Sequence, residues 1–522
     1  MNKEHLSRRN LLKFIGGSSV TLSTLSPISL MTGCETIKNK KKNSHLPSFK
    51  DDVVLADELS YDLLISWGDP INQSEVFGFN NDHINLIPLN DKEVIMWVNH
   101  EYHHPLFVGG WERTKENIDM ERALVGGSIL KLKKAANNWQ VVLNDPMNKG
   151  VRGDTKIPFH NDIKIKGSKN AIGTIANCSG GKTPWNTFLT CEENYHLFYG
   201  DYHYQTKSFT PPKNGGWNSI YPHPPEHYGW VVEVNPFNDE TKKLISLGRF
   251  AHESATCHKT KDGRVVVYSG DDKEDEFIYK FISKTNDSLD EGVLYCADTI
   301  NGRWLPLDLE LSPELKKVFD SQLDVVTYAR ESAKILGATP QNRPEDIEIH
   351  PKTGEIFVAL TNNKKKGDFH GSILKIQENN NDPGSLTFES ETFLLGGLES
   401  NISCPDNMAF DQNANLWITT DISGKALGTA KYKKFGNNGL FVIPSSGEHQ
   451  GEVIQVASAP IDAEFTGPCF SPDQKELFLS VQHPGEMTKD LKSPTSTWPN
   501  REIPKPSVIV IKGKYLESFT QR

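Results

Sequence analysis

Acidic residues recur at the ends of short apolar runs along this chain: Glu101; Glu192 and Glu193; Glu253; Asp271, Asp272 and Glu276; Glu345 and Asp346; Asp406; and Asp421. Taken singly, each reads as an ordinary solvated carboxylate, and Asp271 and Asp406 are also suited to capping turns. Brought together, they need compensation, because two like charges 4 Å apart repel by about 4 kcal/mol at an effective dielectric of 20. Protons or cations must supply it, and hard cations such as Ca²⁺ take six to eight oxygen ligands. Cys178, in Asn177-Cys178-Ser179-Gly180-Gly181, stands just before the Glu192-Glu193 run. A lone Cys is usually a small buried hydrophobe. A thiolate among carboxylates instead favours a more polarising metal such as iron beside the calcium. Arg343-Pro344-Glu345-Asp346 places a planar guanidinium next to two carboxylates at a rigid turn. That fork suits phosphate oxygens, and it suits an internal salt bridge equally.

Something must carry these groups to one place. Six runs share a form: Glu93 to Glu101, Asn186 to Glu193, Arg264 to Asp272, Glu355 to Asn363, Asn415 to Asp421 and Glu476 to His483. All are rich in β-branched and aromatic residues, follow a turn, and mostly end in polar or acidic groups. The last four have similar lead-ins, and the spacing repeats: Asp346 to Asp406 is 60 residues and Asp406 to Gly467 is 61. Such repeats of paired strands predict an all-β, six-bladed β-propeller. Generic hairpins in a β-sandwich are the alternative. The repeats are longer than compact blades, so helical and loop insertions are expected. One starts a helix at Ser312-Pro313-Glu314, and another spans residues 326–336, ending at Gly337. In a propeller the inner strands run along a central channel, so polar groups at equivalent strand ends meet around the axis.

Composition narrows the classes. The 522 residues are 36% hydrophobic and 24% charged, with 10 Trp, 14 Tyr and 25 Phe. This excludes a coiled coil, a collagen, a multi-span membrane protein and a disordered chain. Net charge is −10; residues 1–50 carry nine Lys/Arg and two Glu, or +7, which leaves −10 − 7 = −17 for the rest. Nucleic acid is therefore not an expected partner. The basic excess accompanies Ser7-Arg8-Arg9-Asn10-Leu11-Leu12-Lys13-Phe14 and an apolar stretch from Ile15 to Met31, the form of a twin-arginine export signal. Leu30-Met31-Thr32-Gly33-Cys34 is similar to a lipoprotein box, making Cys34 the expected lipid-anchor site. The expected organisation is a signal over 1–34, a flexible tether over 35–50 and one propeller domain over 51–522. The expected location is the periplasm, free or membrane-tethered, after passage through the twin-arginine machinery. Six further Cys without a C-x-x-C pair make neither a disulfide scaffold nor a structural zinc site.

The stretches Trp97–Tyr102, Asn177–Asn194, Gly248–Ala255, Ser269–Phe281, Gly337–Pro351, Asp406–Asp411 and Gln482–Glu486 together resemble the PhoX-type alkaline phosphatases. The resemblance implies a propeller metallophosphatase using Fe³⁺ and Ca²⁺, acting on phosphate monoesters. It makes Cys178 an iron ligand and Glu192, Glu193, Glu253, Asp272, Glu276 and Glu345 ligands or their supports, with Asp346 and Asp406 joining from the strand-end pattern. Arg343 and Glu345 become the expected catalytic residues, with Arg343 binding the phosphate. Two departures stand out: Asn186 where Gly is expected, and an acidic Lys273-Glu274-Asp275 before Glu276. The competing readings are a calcium-dependent six-bladed lactonase, which needs no Cys178 thiolate, and a non-catalytic surface binding propeller.

Overall fold

The structure is a computed structural model, and it describes residues 46–213 and 216–521. The export signal and Cys34 lie outside the described residues. Six antiparallel sheets of four or five strands each form the blades, with two small two-stranded sheets in the insertions. Blade 1 starts with Asn81–Asn90, blade 2 with Asn177–Lys182, blade 3 with His252–Lys259, blade 4 with Pro344–Ile349, blade 5 with Pro405–Phe410 and blade 6 with Glu464–Phe470. These six inner strands neighbour one another in that order, and blade 6 returns to blade 1. The ring is closed by the N-terminal segment: Val54–Leu55 pairs with Ile454–Ser458 of blade 5, and Ser60–Ser66 pairs with Ser507–Lys512 of blade 6. Ser48, within the stretch expected as a tether, is buried, and its amide donates to Ser458 Oγ at 3.1 Å.

Each apolar run picked out in the sequence is the second strand of a blade: Glu93–His100, Phe188–Glu192, Val265–Asp271, Ile356–Leu360, Leu416–Thr420 and Glu476–Gln482. They are continuous apolar runs because a blade is covered on both faces. Side chains alternate along a strand, so Val94, Met96 and Val98 pack toward blade 6 while Ile95 and Trp97 pack toward blade 2. Similar apolar clusters fill the other blade interfaces. Fully burying each large side chain is worth about 1.5–3 kcal/mol, so these interfaces fix the ring on which the polar inner strands are mounted.

The insertions differ in detail from expectation. The helix expected over residues 326–336 is two helices, Gln322–Thr327 and Ala329–Leu336, meeting at Tyr328, whose φ of −115° and ψ of 49° are not helical. The second ends at Gly337 with φ 80°. After Ser312-Pro313 only a 3₁₀ turn forms, Leu315–Lys317. Asn186 takes a φ of 62°, a left-handed conformation that Asn tolerates better than most residues, so this departure preserves the turn. Among the described residues no helix is long and apolar enough to cross a membrane.

Candidate metal centre and phosphate site

The inner strands share one irregularity. In each, pairing with the second strand shifts register near its start: between Asn81 and Ile84, Asn177 and Gly180, Glu253 and Thr256, Pro344 and Ile347, Pro405 and Met408, and Thr466 and Cys469. A bulge frees residues from the ladder and re-aims their side chains. In four blades the residue just before the inner strand has a left-handed φ: Asn80 at 46°, Ala176 at 52°, Arg343 at 55° and Cys404 at 55°. Two residues on stand Asp82, Cys178, Glu345 and Asp406. The same kink therefore delivers three carboxylates and one thiol from four blades. Neighbouring second strands hold the bulges. Asn99 Nδ2 donates to the carbonyls of Cys178 and Ser179 at 2.9 and 2.8 Å. Ser480 Oγ donates to the Asp82 carbonyl at 2.6 Å, and Thr361 Oγ1 to the Pro405 carbonyl at 3.0 Å.

Cys178 sits between two groups of donors. Ligand atoms of Asp82, Glu101 and Cys178 lie within 4.8 Å of one another, as do those of Cys178, Glu193 and Glu253. The thiol donates to Asp82 Oδ2 at 3.2 Å. Gln482 Nε2 supports the first group, donating to Glu101 Oε2 at 2.8 Å and Asp82 Oδ2 at 3.2 Å. Glu253 is 1% exposed. Neither of its oxygens has a hydrogen-bond partner, and neither do Asp82 Oδ1 and Glu464 Oε2. Burying an unpaired carboxylate costs far more than a fold can spare, so these donors fit a bound cation.

The electrostatics agree. Burial first, and then neighbouring carboxylates, push Asp82, Glu193, Glu253, Glu345 and Asp406 well above the usual carboxylate range. Burial raises Glu101 to about 7, and burial with Asp421 raises Glu464 to about 8. Burial and the Asp82 carboxylate hold the Cys178 thiol well up. A cation inverts this logic, since bound thiols and carboxylates ionise.

Arg343 is one cation that the chain itself supplies. Its Nε and Nη2 donate to Asp272 Oδ1 and Oδ2 at 2.7 and 2.8 Å, and Nη2 lies 2.8 Å from Glu345 Oε1. Burial works to raise Asp272, but Arg343 overrides it and holds the carboxyl below its usual range. The Arg343 side chain remains 25% exposed, with Nε and Nη2 held by the two carboxylates.

The expected residues therefore fall into separate places. Cys178, Glu193, Glu253, Glu345 and Asp406 converge. Asp272 is held by Arg343 at their edge. Glu192 faces elsewhere: it is fully buried, accepts from Lys243 Nζ at 2.6 Å and from the amides of Gly229 and Trp230 at 2.9 and 3.1 Å. Glu276 pairs with Lys334 at 2.7 Å. Asp346 accepts from the Ser254 hydroxyl and from the amides of Ile347 and Met408 at 2.9 and 2.7 Å, so it pins blade 3 to blades 4 and 5. The extra acids of the departing stretch serve the outer loops, Glu274 pairing with Lys365 at 2.9 Å and Asp275 with Lys366 at 2.5 Å. Asp82 and Glu464 were not among the expected ligands. The signal for Asp82 was its place after Asn80-Asn81, matching Ala176-Asn177-Cys178 and the Pro-preceded acids of blades 4 and 5.

The profile of the family described as alkaline phosphatase PhoX matches residues 40–485. The chain belongs to the PhoX family of alkaline phosphatases. PhoX of Pseudomonas fluorescens, solved in complex with vanadate, a transition state analogue, is 29% identical, with a TM-score of 0.78 over 90% of this chain and 97% of that one. A protein of unknown function from Dyadobacter fermentans is 9% identical with a TM-score of 0.41, covering 88% of this chain and 99% of that one. A Trypanosoma rangeli sialidase is 6% identical with a TM-score of 0.40, covering 88% and 60%. No protein of curated function matches the chain. Membership in the PhoX family selects the phosphatase among the three readings of the acidic channel: this is a metal-dependent phosphatase on a six-bladed propeller.

Proposed function

We propose that the protein hydrolyses phosphate monoesters at the mouth of the central channel, using iron and calcium held by Cys178, Asp82, Glu101, Glu193, Glu253, Glu345 and Asp406, with Arg343 as the phosphate-binding residue. The observation that carries this is the buried, unpartnered carboxylate of Glu253 beside the Cys178 thiol. A thiolate with several carboxylates is a donor set for iron, and the surplus oxygens suit calcium. When bound, the metals supply charge neutralisation of the phosphoryl oxygens and activation of an oxygen nucleophile.

The chain's own part is positioning. Arg343, fixed by Asp272 and Glu345, keeps donors directed at the phosphoryl oxygens, whose charge is stabilised without reorganisation at the moment of transfer. The vanadate complex of the Pseudomonas fluorescens relative supports the same reading, since vanadate stands in for a phosphoryl group. Elemental analysis of the pure protein alongside phosphate release from p-nitrophenyl phosphate tests it. Iron and calcium together with release are expected; calcium alone with full turnover would remove iron from the proposal.

We also propose that the chain is exported by the twin-arginine route on residues 1–34 and anchored at Cys34. The arginine pair and the small residues before Cys34 support this. Replacing both Arg8 and Arg9 by Lys should trap the protein in the cytoplasm, and fractionation with a lipid label at Cys34 checks both steps.

A further inference from the structure

A pocket opens beside Arg343, and its walls include Asn362, Lys364, Asp421, Ser423 and Tyr432 but not Asp272. Two connections build it. One, residues 361–371, joins the second and third strands of blade 4; the other, residues 421–438, joins those of blade 5. They form one wall, because Tyr432 Oη donates to the Phe369 carbonyl at 3.0 Å, and the His370 ring packs on Tyr432 and Phe435. Asp421 couples electrostatically to Asp406, Glu464 and Arg343, so this wall of the pocket adjoins the acidic cluster.

The rim is of opposite sign. Lys364, Lys365 and Lys366 lie on the first connection, and Lys425, Lys431, Lys433 and Lys434 on the second; all are exposed. Lys365 and Lys366 are neutralised by Glu274 and Asp275. Lys364, Lys425, Lys433 and Lys434 have no carboxylate partner among the described residues, and Lys431 lies over the Phe369 ring. Five lysines without carboxylate partners on two adjoining connections are at odds with a chain that carries −17 beyond residue 50. Phosphoryl transfer needs one guanidinium on the reacting group; it does not explain a basic rim beyond it.

We propose that this pocket and its rim bind a second anionic group on the leaving side of the ester, with Lys364 as the specificity-determining residue, so that esters bearing an additional phosphate are favoured. The inference rests on the phosphatase reading and names its substrate class. The reacting phosphoryl group sits against Arg343 and the leaving group extends into the pocket, where Lys364 meets its extra charge and the outer lysines raise the local concentration of polyanions.

The test compares glucose 1,6-bisphosphate with glucose 6-phosphate on the metal-loaded enzyme, in wild type, Lys364→Ala and Lys433→Ala/Lys434→Ala. Wild type should favour the bisphosphate in kcat/KM, and the preference should shrink with added salt. Lys364→Ala should lower kcat/KM for the bisphosphate about fivefold, the worth of one solvent-screened charge contact, and leave glucose 6-phosphate within about twofold. The double variant should weaken the salt dependence. Absence of a preference in wild type, or its survival in Lys364→Ala, overturns the proposal, as does an equal loss on both substrates. If neither sugar phosphate is hydrolysed, the phosphatase reading fails on its own. Calorimetric binding of the bisphosphate to wild type and Lys364→Ala then still decides whether the rim selects polyanions.

Discussion

Arg343 of blade 4 grips both oxygens of Asp272 of blade 3, at 2.7 and 2.8 Å, while its backbone holds a left-handed φ of 55°. The side chain reaches the previous blade only because the kinked backbone turns it away from its own strand. Asp272 is thus the anchor of the arginine proposed to bind phosphate, and both its oxygens are engaged.

That pairing gives the first prediction. Arg343→Lys keeps the charge but loses the fork. Loss of such a donor should reduce kcat/KM for p-nitrophenyl phosphate by roughly 10²–10³, with metal content unchanged and inhibition by inorganic phosphate weakened. Asp272→Asn, which removes one acceptor and the charge but leaves the Glu345 contact, should give a smaller loss in the same direction. Normal phosphate inhibition of Arg343→Lys, together with a lowered Tm, would instead mark Arg343 as a purely structural partner.

Gly270 carries the second. A Cβ built there would lie 2.4 Å from the Pro344 carbonyl oxygen and 2.5 Å from that of Glu345. Those contacts are with the backbone that presents Arg343 and Glu345, and a packed backbone cannot step aside cheaply. Gly270→Ala should therefore cost activity beyond its cost in stability. Thermal unfolding and kcat/KM measured on one preparation check this; wild-type turnover with any Tm would refute it.

The fold was legible because second strands are covered on both faces and appear as apolar runs such as Ile95-Met96-Trp97-Val98. Inner strands were harder to read, because one end faces a polar channel and a bulge breaks their alternation. Asp82 in Asn80-Asn81-Asp82-His83 carries no apolar signature of its own, and its place shows only when the left-handed residues of the four blades that have one are superposed. Glu192 shows the converse. It is adjacent to Glu193 in sequence, but Glu192 is the last residue of its strand and Glu193 lies just past the end, so one carboxylate meets Lys243 inside the blade and the other the channel. Adjacency in sequence could not separate the two; the strand end does.

The third prediction follows from that division. Lys243 and Glu192 are both 0% exposed and 2.6 Å apart. Removing one partner of a buried pair leaves an uncompensated charge and costs about 3–5 kcal/mol. Lys243→Met should lower the denaturation midpoint strongly, while protein that remains folded keeps its bound metal. Glu193→Gln should do the reverse, with metal loss and little change in the stability of the metal-free chain. A shared loss of metal in both variants would place Glu192 back among the ligands.

Removing the metals should make stability depend on pH in a direction opposite to that of salt-bridged carboxylates. Glu101 and Glu464 ordinarily titrate near 4.5, and in the folded, metal-free chain burial raises them to about 7 and about 8. The folded state therefore holds protons that the unfolded state has released. By linkage their contribution is fully present below pH 4.5 and is lost as pH rises through 7 and 8. Asp82, Glu193, Glu253, Glu345 and Asp406 are displaced in the same direction and add to the slope. Chelated protein should thus melt at progressively lower temperature between pH 5 and 9. Restoring iron and calcium should abolish most of that fall, because cations take the place of the protons. Glu253→Gln supplies the control at one residue: its amide cannot ionise, so the metal-free variant should be more stable than metal-free wild type at pH 9 and should bind metal less tightly. A metal-free Tm that is flat or rising across this range would show that the cluster stays neutralised by other means, and the case for a cation at Glu253 would fall with it.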